Sequence, residues 1–390
     1  MIGDFGTIKR MSIFVTGATG FLGSYIVANL LTQHEDRLSL LIRSRSIEEA
    51  EQRLWQSLQL HFDFKTFFEY RRSRIDFFLG DVTHPDLGLD ADRHDRLIRT
   101  TDSIIHCAAA LNRRSSEACM NVNLRGTLET IKLAQAAHDH HGLRRFSNIS
   151  SVAVSGQRRN EVVTEDKAIQ WTTPDLDPYG RTKKFAEYMV HRLLADVPVV
   201  IFRPSAIIGD TRFPQTTQFD MVRAFTLFLK SPVIPFHPDW RLDIVPADYV
   251  SHAIVAVHQK EKPTYTIYHV SSGTDSLTYR QIMQSLLGDQ ENLRKIFVPR
   301  FLKIFSRICD RLAETPPKLG LARPATLIQV FLPHLESNTV FDNTRIKQEL
   351  GEAPKPFGDY ARSLLRFAQE NNFRYPYRPW TFEEIKREVA

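Results

Sequence analysis

The stretch "SIFVTGATGFLGSYIVANLL", Ser12 to Leu31, constrains the fold more than any other. An apolar, β-branched run reads as a buried strand, and apolar residues at helical spacing follow it directly. Between them lies a turn with Gly17, Gly20 and Gly23. In such a turn the first glycine permits the tight bend and the second lets backbone approach a pyrophosphate. The third lets the helix pack close to the strand. Freed N–H groups at the helix start then face the phosphates, aided by the helix dipole. Strand, turn and helix in this register predict a dinucleotide site near the start of the chain.

Short β-branched or leucine-rich runs alternate with helical segments over the next two hundred residues. Strands are expected at Ser12–Thr16, Leu38–Ile42, Ile75–Leu79, Ser103–His106, Arg145–Ile149 and Pro198–Phe202. Helices between them imply parallel pairing, hence an α/β fold with a doubly wound parallel sheet. Beyond Phe202 the pattern loosens into proline-rich loops and isolated helices. At 390 residues the chain exceeds one ordinary core, so a second lobe is expected. The division reads as a Rossmann domain over 11–205 with a return segment at 240–272. A smaller substrate lobe would comprise 206–239 and 273–390.

Composition removes other classes. No apolar run approaches the length needed to cross a bilayer, and "MIGDFGTIKRM" lacks a signal-peptide core. Three cysteines, Cys107, Cys119 and Cys309, make no disulfide framework, so a cytoplasmic setting is expected. The fourteen histidines form no ligand set, and no metal is expected. A net charge of +6 without aromatic–basic platforms or basic tails argues against a nucleic-acid partner.

The second strand ends "LSLLIRSRS". An acid there would accept ribose hydroxyls, whereas an arginine suits the 2′-phosphate of NADP. Arg43 and Arg45 follow the strand, while Glu35 and Asp36 precede it, so NADP(H) is the expected cofactor. The alternative is a pair of solvated loop arginines. Farther on, "SSVAVSG" places Ser150 and Ser151 after an apolar strand. Asp177–Pro178 then reads as an N-cap followed by proline at the first helical position. Tyr179 and Lys183 fall one turn apart on one helix face.

In these motifs the chain resembles an extended short-chain dehydrogenase/reductase over about its first 270 residues. "TGATGFLG" is similar to the family's cofactor turn, which implies contacts from Thr19, Phe21 and Leu22 as well as the glycines. "GDVT" resembles its adenine-side motif, implying Asp81 at the amino group and Val82 at the ring. "HCAAALN" resembles the segment beside the nicotinamide ribose, implying Ala108 and Ala109. "RPSAIIGD" resembles the one near the carboxamide, implying Pro204. "NVNLRGT" carries Asn123, which in the family fixes the central helix. The family's catalytic group is Ser (or Thr), Tyr and Lys, which implies Tyr179, Lys183 and, five residues before Gly156, Ser151. An ammonium and a cationic nicotinamide near Tyr179 would lower a phenol pKa of about 10.

Within the family, "PDLGL", "IIGDTRF" and "VFDNTRI" resemble the thioester reductase and fatty acyl reductase branch. That resemblance implies NADPH-dependent reduction of an acyl thioester, on CoA or a carrier protein, to aldehyde or alcohol. Serine stands where the branch commonly has threonine. A ketone, 3-hydroxy lipid or steroid-like dehydrogenase and a nucleotide-sugar epimerase or dehydratase are the alternatives. An acyl carrier protein, peripheral membrane contact and a homodimer are possible partners. Cys107 is expected to be a core residue, and Asp248 to cap a helix. Pro299–Leu312 reads as a helix with Phe301, Phe305, Ile308 and Leu312 on one stripe and Arg300, Lys303, Arg307 and Arg311 on its flank. It either packs on the lobe or borders the acyl entrance.

Overall fold

The structure is a computed structural model that describes residues 11–288, 295–315 and 322–380. Residues 1–10, the start of the leader reading above, lie outside this range, as do parts of the second lobe. Seven strands form one sheet: β1 (Ser12–Thr16), β2 (Arg37–Ile42), β3 (Ile75–Leu79), β4 (Thr101–His106), β5 (Arg145–Ile149), β6 (Val199–Pro204) and β7 (Ile267–Val270). Their order is β7-β6-β5-β4-β1-β2-β3, and every pair is parallel. The chain reverses direction beside β1, where β2 and β4 flank it, so the carboxyl ends of the strands open a crevice at that point.

The sheet is buried on both faces, as its unbroken apolar strands require. In β1, Ile13 and Val15 enter the core shared with α1 (Phe21–Gln33), while Phe14 enters the opposite one. On the second face pack α3 (Gly126–His141) and α4 (Pro178–Leu193), through Ile131, Ala134 and Val190. Helix α2 (Ile47–Leu58) follows β2, and α6 (Ala247–Gln259) packs beside α1 through Val250, Ile254 and Val257. The six strands read from sequence are present. The sixth runs two residues past Phe202, and β7 is the one that periodicity missed.

The second lobe has its own core, built on α5 (Asp220–Lys230), α7 (Tyr279–Leu287) and α10 (Gly358–Glu370) around Phe225, Phe228, Ile282 and Leu364. Helices α8 (Leu302–Ala313) and α9 (Ala322–Leu335) pack on one another at its edge. The α8 stripe differs from expectation. Leu302 and Phe305 pack on the lobe core and Cys309 is buried, but Ile308 faces outward. Asp248 is also not a cap: α6 begins after Pro246, and the Asp248 carboxylate instead accepts from the Thr211 N–H and hydroxyl at 3.2 and 2.6 Å. Among the described residues no helix is long and apolar enough to cross a membrane.

Helix α4 is fastened to the sheet by charge. Arg203 at the end of β6 holds Glu187 of α4 at 2.7 Å, with both side chains almost wholly buried. Ser150 at the end of β5 donates to the same carboxylate. Burying two charges is costly unless they are paired and hydrogen-bonded, and removing one partner strands the other. Glu187→Ala is therefore expected to cost about 3–5 kcal/mol of stability. Chemical denaturation would measure it, and a loss below about 1 kcal/mol, the worth of an exposed pair, would contradict the assignment.

Candidate active site

One cavity of about 700 Å³ runs from the β1 turn across the strand ends into the second lobe. At its first end the glycines act as the sequence requires. Gly17 has φ +77°, and a Cβ there would lie 2.6 Å from the Ala108 backbone nitrogen. A Cβ at Gly23 would lie 2.0 Å from the Gly17 carbonyl oxygen. Neither position tolerates a side chain, because the turn is wedged between β4 and the first turn of α1. Helix α1 starts at Gly20 with no side-chain cap, and its first turn carries no acid. The result is a bare backbone cradle lined by Gly20, Phe21 and Leu22, with Thr19 beside it, and it fits a pyrophosphate.

Toward the adenine end stand Asp81, Val82 and Arg43. The Asp81 carboxylate accepts from the Thr83 N–H and hydroxyl at 3.0 and 2.9 Å, and Arg43 Nη1 lies 3.7 Å away. Arg43 is largely exposed, which leaves its charge available. Arg45 does not line the cavity; its backbone N–H, just before the Ser46 cap of α2, donates to Glu49 at 2.8 Å. Arg53 of α2 lines the cavity instead and donates to the Arg43 carbonyl. Helical spacing from the Ser46 cap was the only signal that could have found it.

At the centre, Ala108, Ala109 and Pro204 line the wall beside Ser151, Tyr179 and Lys183. Asp177 caps α4, accepting from the Gly180 N–H at 2.8 Å, and Pro178 is the first helical residue. That start aims Tyr179 and Lys183 inward on the same face. Lys183 donates to the Ile149 carbonyl at 2.7 Å, and burial pushes its ammonium down to about 8. Burial raises the Tyr179 phenol, against the opposing pull of the Arg113 charge and of the nearby Ser151 hydroxyl. The paired serines diverge: Ser150 turns back to Glu187, while Ser151 lines the cavity with Tyr179 and accepts from the Ala153 N–H at 3.2 Å.

Asn123 does not line the cavity. It is fully buried, accepts from the Ala110 N–H at 2.7 Å and donates to the Thr182 hydroxyl at 3.1 Å, so it ties the β4 loop to α4. Cys107 lines the cavity, but burial pushes its thiol up to about 11, so it stays protonated and unreactive at neutral pH. Besides Arg53, two charged or titratable residues beside Tyr179 escaped the sequence reading. Arg113 and His334 both line the cavity near Tyr179, and a lone arginine in a loop or a histidine in a distant helix carries no local signal.

The far end of the cavity is apolar, with Met221 of α5 and Phe331 and Leu335 of α9. No residue of α8 lines it, whereas Phe331, His334 and Leu335 of α9 do.

Comparison with known proteins gives the chain's family and fold. The chain is 29% identical over 297 residues to an isonitrile lipopeptide synthase of Mycobacterium tuberculosis, covering 68% of this chain and 12% of that protein. It is 26% identical over 331 residues to the fatty acyl-CoA reductase wat of Drosophila melanogaster, covering 75% and 64%. It thus spans less than two thirds of either relative. Among solved structures, the terminal R domain from the myxalamid PKS-NRPS biosynthetic pathway superposes with a TM-score of 0.78 at 22% identity, covering 93% of this chain and 92% of that one. The family model for the NAD-binding "male sterility protein" group matches residues 15–254, well over half of the chain, which therefore belongs to that family, with an extended short-chain dehydrogenase/reductase fold.

Proposed function

We propose that this protein is an NADPH-dependent reductase of acyl thioesters, carried on CoA or on a carrier protein, yielding an aldehyde or an alcohol. One observation carries the reading: a serine–tyrosine pair stands where a backbone phosphate cradle meets an apolar lobe cavity. The cradle glycines, Asp81, Val82, Ala108, Ala109 and Pro204 would hold the dinucleotide, with Lys183 at its ribose. When bound, the reduced dinucleotide supplies the hydride.

The chain's own residues manage charge and protons. As the thioester carbon is reduced, negative charge gathers on its oxygen, and the Ser151 and Tyr179 hydroxyls donate to that oxygen. Collapse of the tetrahedral centre breaks the C–S bond and releases a thiolate, which takes up a proton, leaving the aldehyde. A second round would pass the Tyr179 proton to an alkoxide and give the alcohol. The raised phenol suits this direction, because a proton donor must remain protonated at neutral pH. With Cys107 held as a thiol, no acyl-enzyme is needed. Phe331, Met221 and Leu335 would cover the acyl chain.

NADPH preference rests on Arg43 and Arg53 where an acid would favour NADH. Arg43→Asp is expected to weaken NADPH binding at least about tenfold, the worth of one charged hydrogen bond, and to leave NADH nearly unchanged. Titration of both dinucleotides measures this, and equal affinities in the unmodified protein would contradict it.

Tyr179→Phe keeps the ring and removes the proton donor, so kcat should fall about 10²–10⁴-fold with dinucleotide affinity preserved. Retention of more than a few per cent of turnover would refute the role.

Lys183 titrates near 8 in the free protein, and its charged form is lost as pH rises through that value. kcat/KM should accordingly fall on the alkaline side with an apparent pKa near 8, and Lys183→Arg should move that limb upward. A profile flat to pH 9.5 would contradict the assignment. The function itself is tested by incubating acyl-CoA, carrier-bound acyl, ketone and nucleotide-sugar substrates with NADPH and identifying products by mass spectrometry. Aldehyde or alcohol from thioesters is expected, and turnover confined to ketones or nucleotide sugars would overturn it.

A further inference from the structure

Beside Tyr179 lies a charged cluster drawn from three separate parts of the chain. The Arg113 guanidinium, from the loop after β4, sits 4.5 Å over the centre of the Tyr179 ring. Its Nη1 donates to Asp177 at 2.6 Å, the residue that caps the helix carrying Tyr179. His334 of α9, in the second lobe, closes the triangle: its Nε2 lies 3.3 Å from the same Asp177 oxygen and 3.0 Å from Arg113 Nη1. With Nε2 protonated His334 donates to Asp177, and with Nε2 bare it accepts from Arg113, so in either tautomer one hydrogen bond ties α9 to the Arg113–Asp177 pair.

The arrangement is built to hold charge in place. Burial works against the Asp177 carboxylate, yet the His334 hydrogen bond, the Arg113 charge and the Gly180 amide hold it well below the usual carboxylate range. Burial and the Arg113 charge lower the His334 pKa against the raising influence of Asp177, which favours the neutral ring. A fixed carboxylate therefore fixes the guanidinium, and a guanidinium over an aromatic face both orients the ring and favours electron density on it. Lys183, the cation the sequence assigns to the phenol, spends one donor on the Ile149 carbonyl. Arg113 is the cation seated over the ring itself.

We propose that Arg113 is a positioning residue for Tyr179, locked by Asp177 and by His334 of the second lobe, so that the proton donor is fully set only when α9 is docked. This rests on the reading of Tyr179 as the proton donor. It assigns the lobe a part in organising the chemistry as well as in covering the acyl chain. Three elements distant in sequence meet at one carboxylate, and loss of any one loosens the other two.

The test compares Arg113→Met, Arg113→Lys, Asp177→Asn and His334→Ala with the wild type and with Tyr179→Phe, in NADPH-dependent turnover of an acyl-CoA. Asp177→Asn retains an N-cap side chain and loses only the anchoring charge, which keeps the test valid if Arg113→Met folds poorly. Arg113→Met and Asp177→Asn are expected to lower kcat about tenfold, with KM for the acyl-CoA and Kd for NADPH within about twofold. Arg113→Lys should recover most of the loss, and His334→Ala should shift kcat in the same direction by a smaller factor. Wild-type kcat in Arg113→Met and Asp177→Asn, or a loss confined to KM, would overturn the positioning role. Wild-type kcat in His334→Ala alone would overturn the dependence on α9. Turnover above a few per cent of wild type in Tyr179→Phe would instead refute the proposed role of Tyr179, so the two failures are distinguishable.

Discussion

Everything at this site depends on how α4 is seated. The helix carries Tyr179 and Lys183 at one end and Glu187 two turns on, and the Glu187–Arg203 pair bolts it to β6 inside the protein. Geometry at the reacting centre cannot be better than that attachment. The pair is completed by Ser150, and Arg203 also donates to the Glu165 carbonyl at 2.9 Å, so the cation has partners on several sides. A buried pair is weak evidence for stability as such. Its value here is orientation: a charged lock has one geometry, whereas an apolar contact admits several.

From the same seat the other parts take their positions. Asn123 ties the β4 loop to Thr182, and Lys183 ties α4 to the end of β5. Gly17 meets the Ala108 backbone, so the cradle and the β4 wall share one surface. The proposed dinucleotide and the proposed proton donor are thereby registered through backbone contacts. The second lobe joins this frame through Asp243, which accepts from the Ser272 and Phe341 amides at 2.9 and 3.0 Å, and through His334 at Asp177.

Much of this was legible in the sequence because the signals are local. Strand, turn and helix follow within twenty residues at Ser12–Leu31, and the cap at Asp177 lies beside the tyrosine it aims. Short β-branched or leucine-rich runs between helical segments identified six strands of the sheet, while β7, four residues from Ile267 to Val270 in the looser region beyond Phe202, carried no such signal. The misses share a cause. Arg53, Arg113 and His334 matter through tertiary placement, and no spacing rule links Arg113 to a histidine 221 residues away. Arg43 lines the cavity and Arg45 does not, because the chain turns from β2 into α2 between them. On α8 the inward row is the partly buried Leu302 and Phe305 with the buried Cys309, which leaves Ile308 facing outward.

The central claim is that this chain reduces a thioester carbon directly, with Tyr179 and Ser151 holding the oxygen. It is tested most directly by single-turnover reaction of an acyl-CoA with NADPH deuterated at the transferable position, reading the product aldehyde by mass spectrometry and the released thiol by titration. The account predicts one deuterium on the former carbonyl carbon and one thiol for each dinucleotide oxidised to that stage. Thiol release without dinucleotide oxidation, or an acyl product free of deuterium, would contradict it.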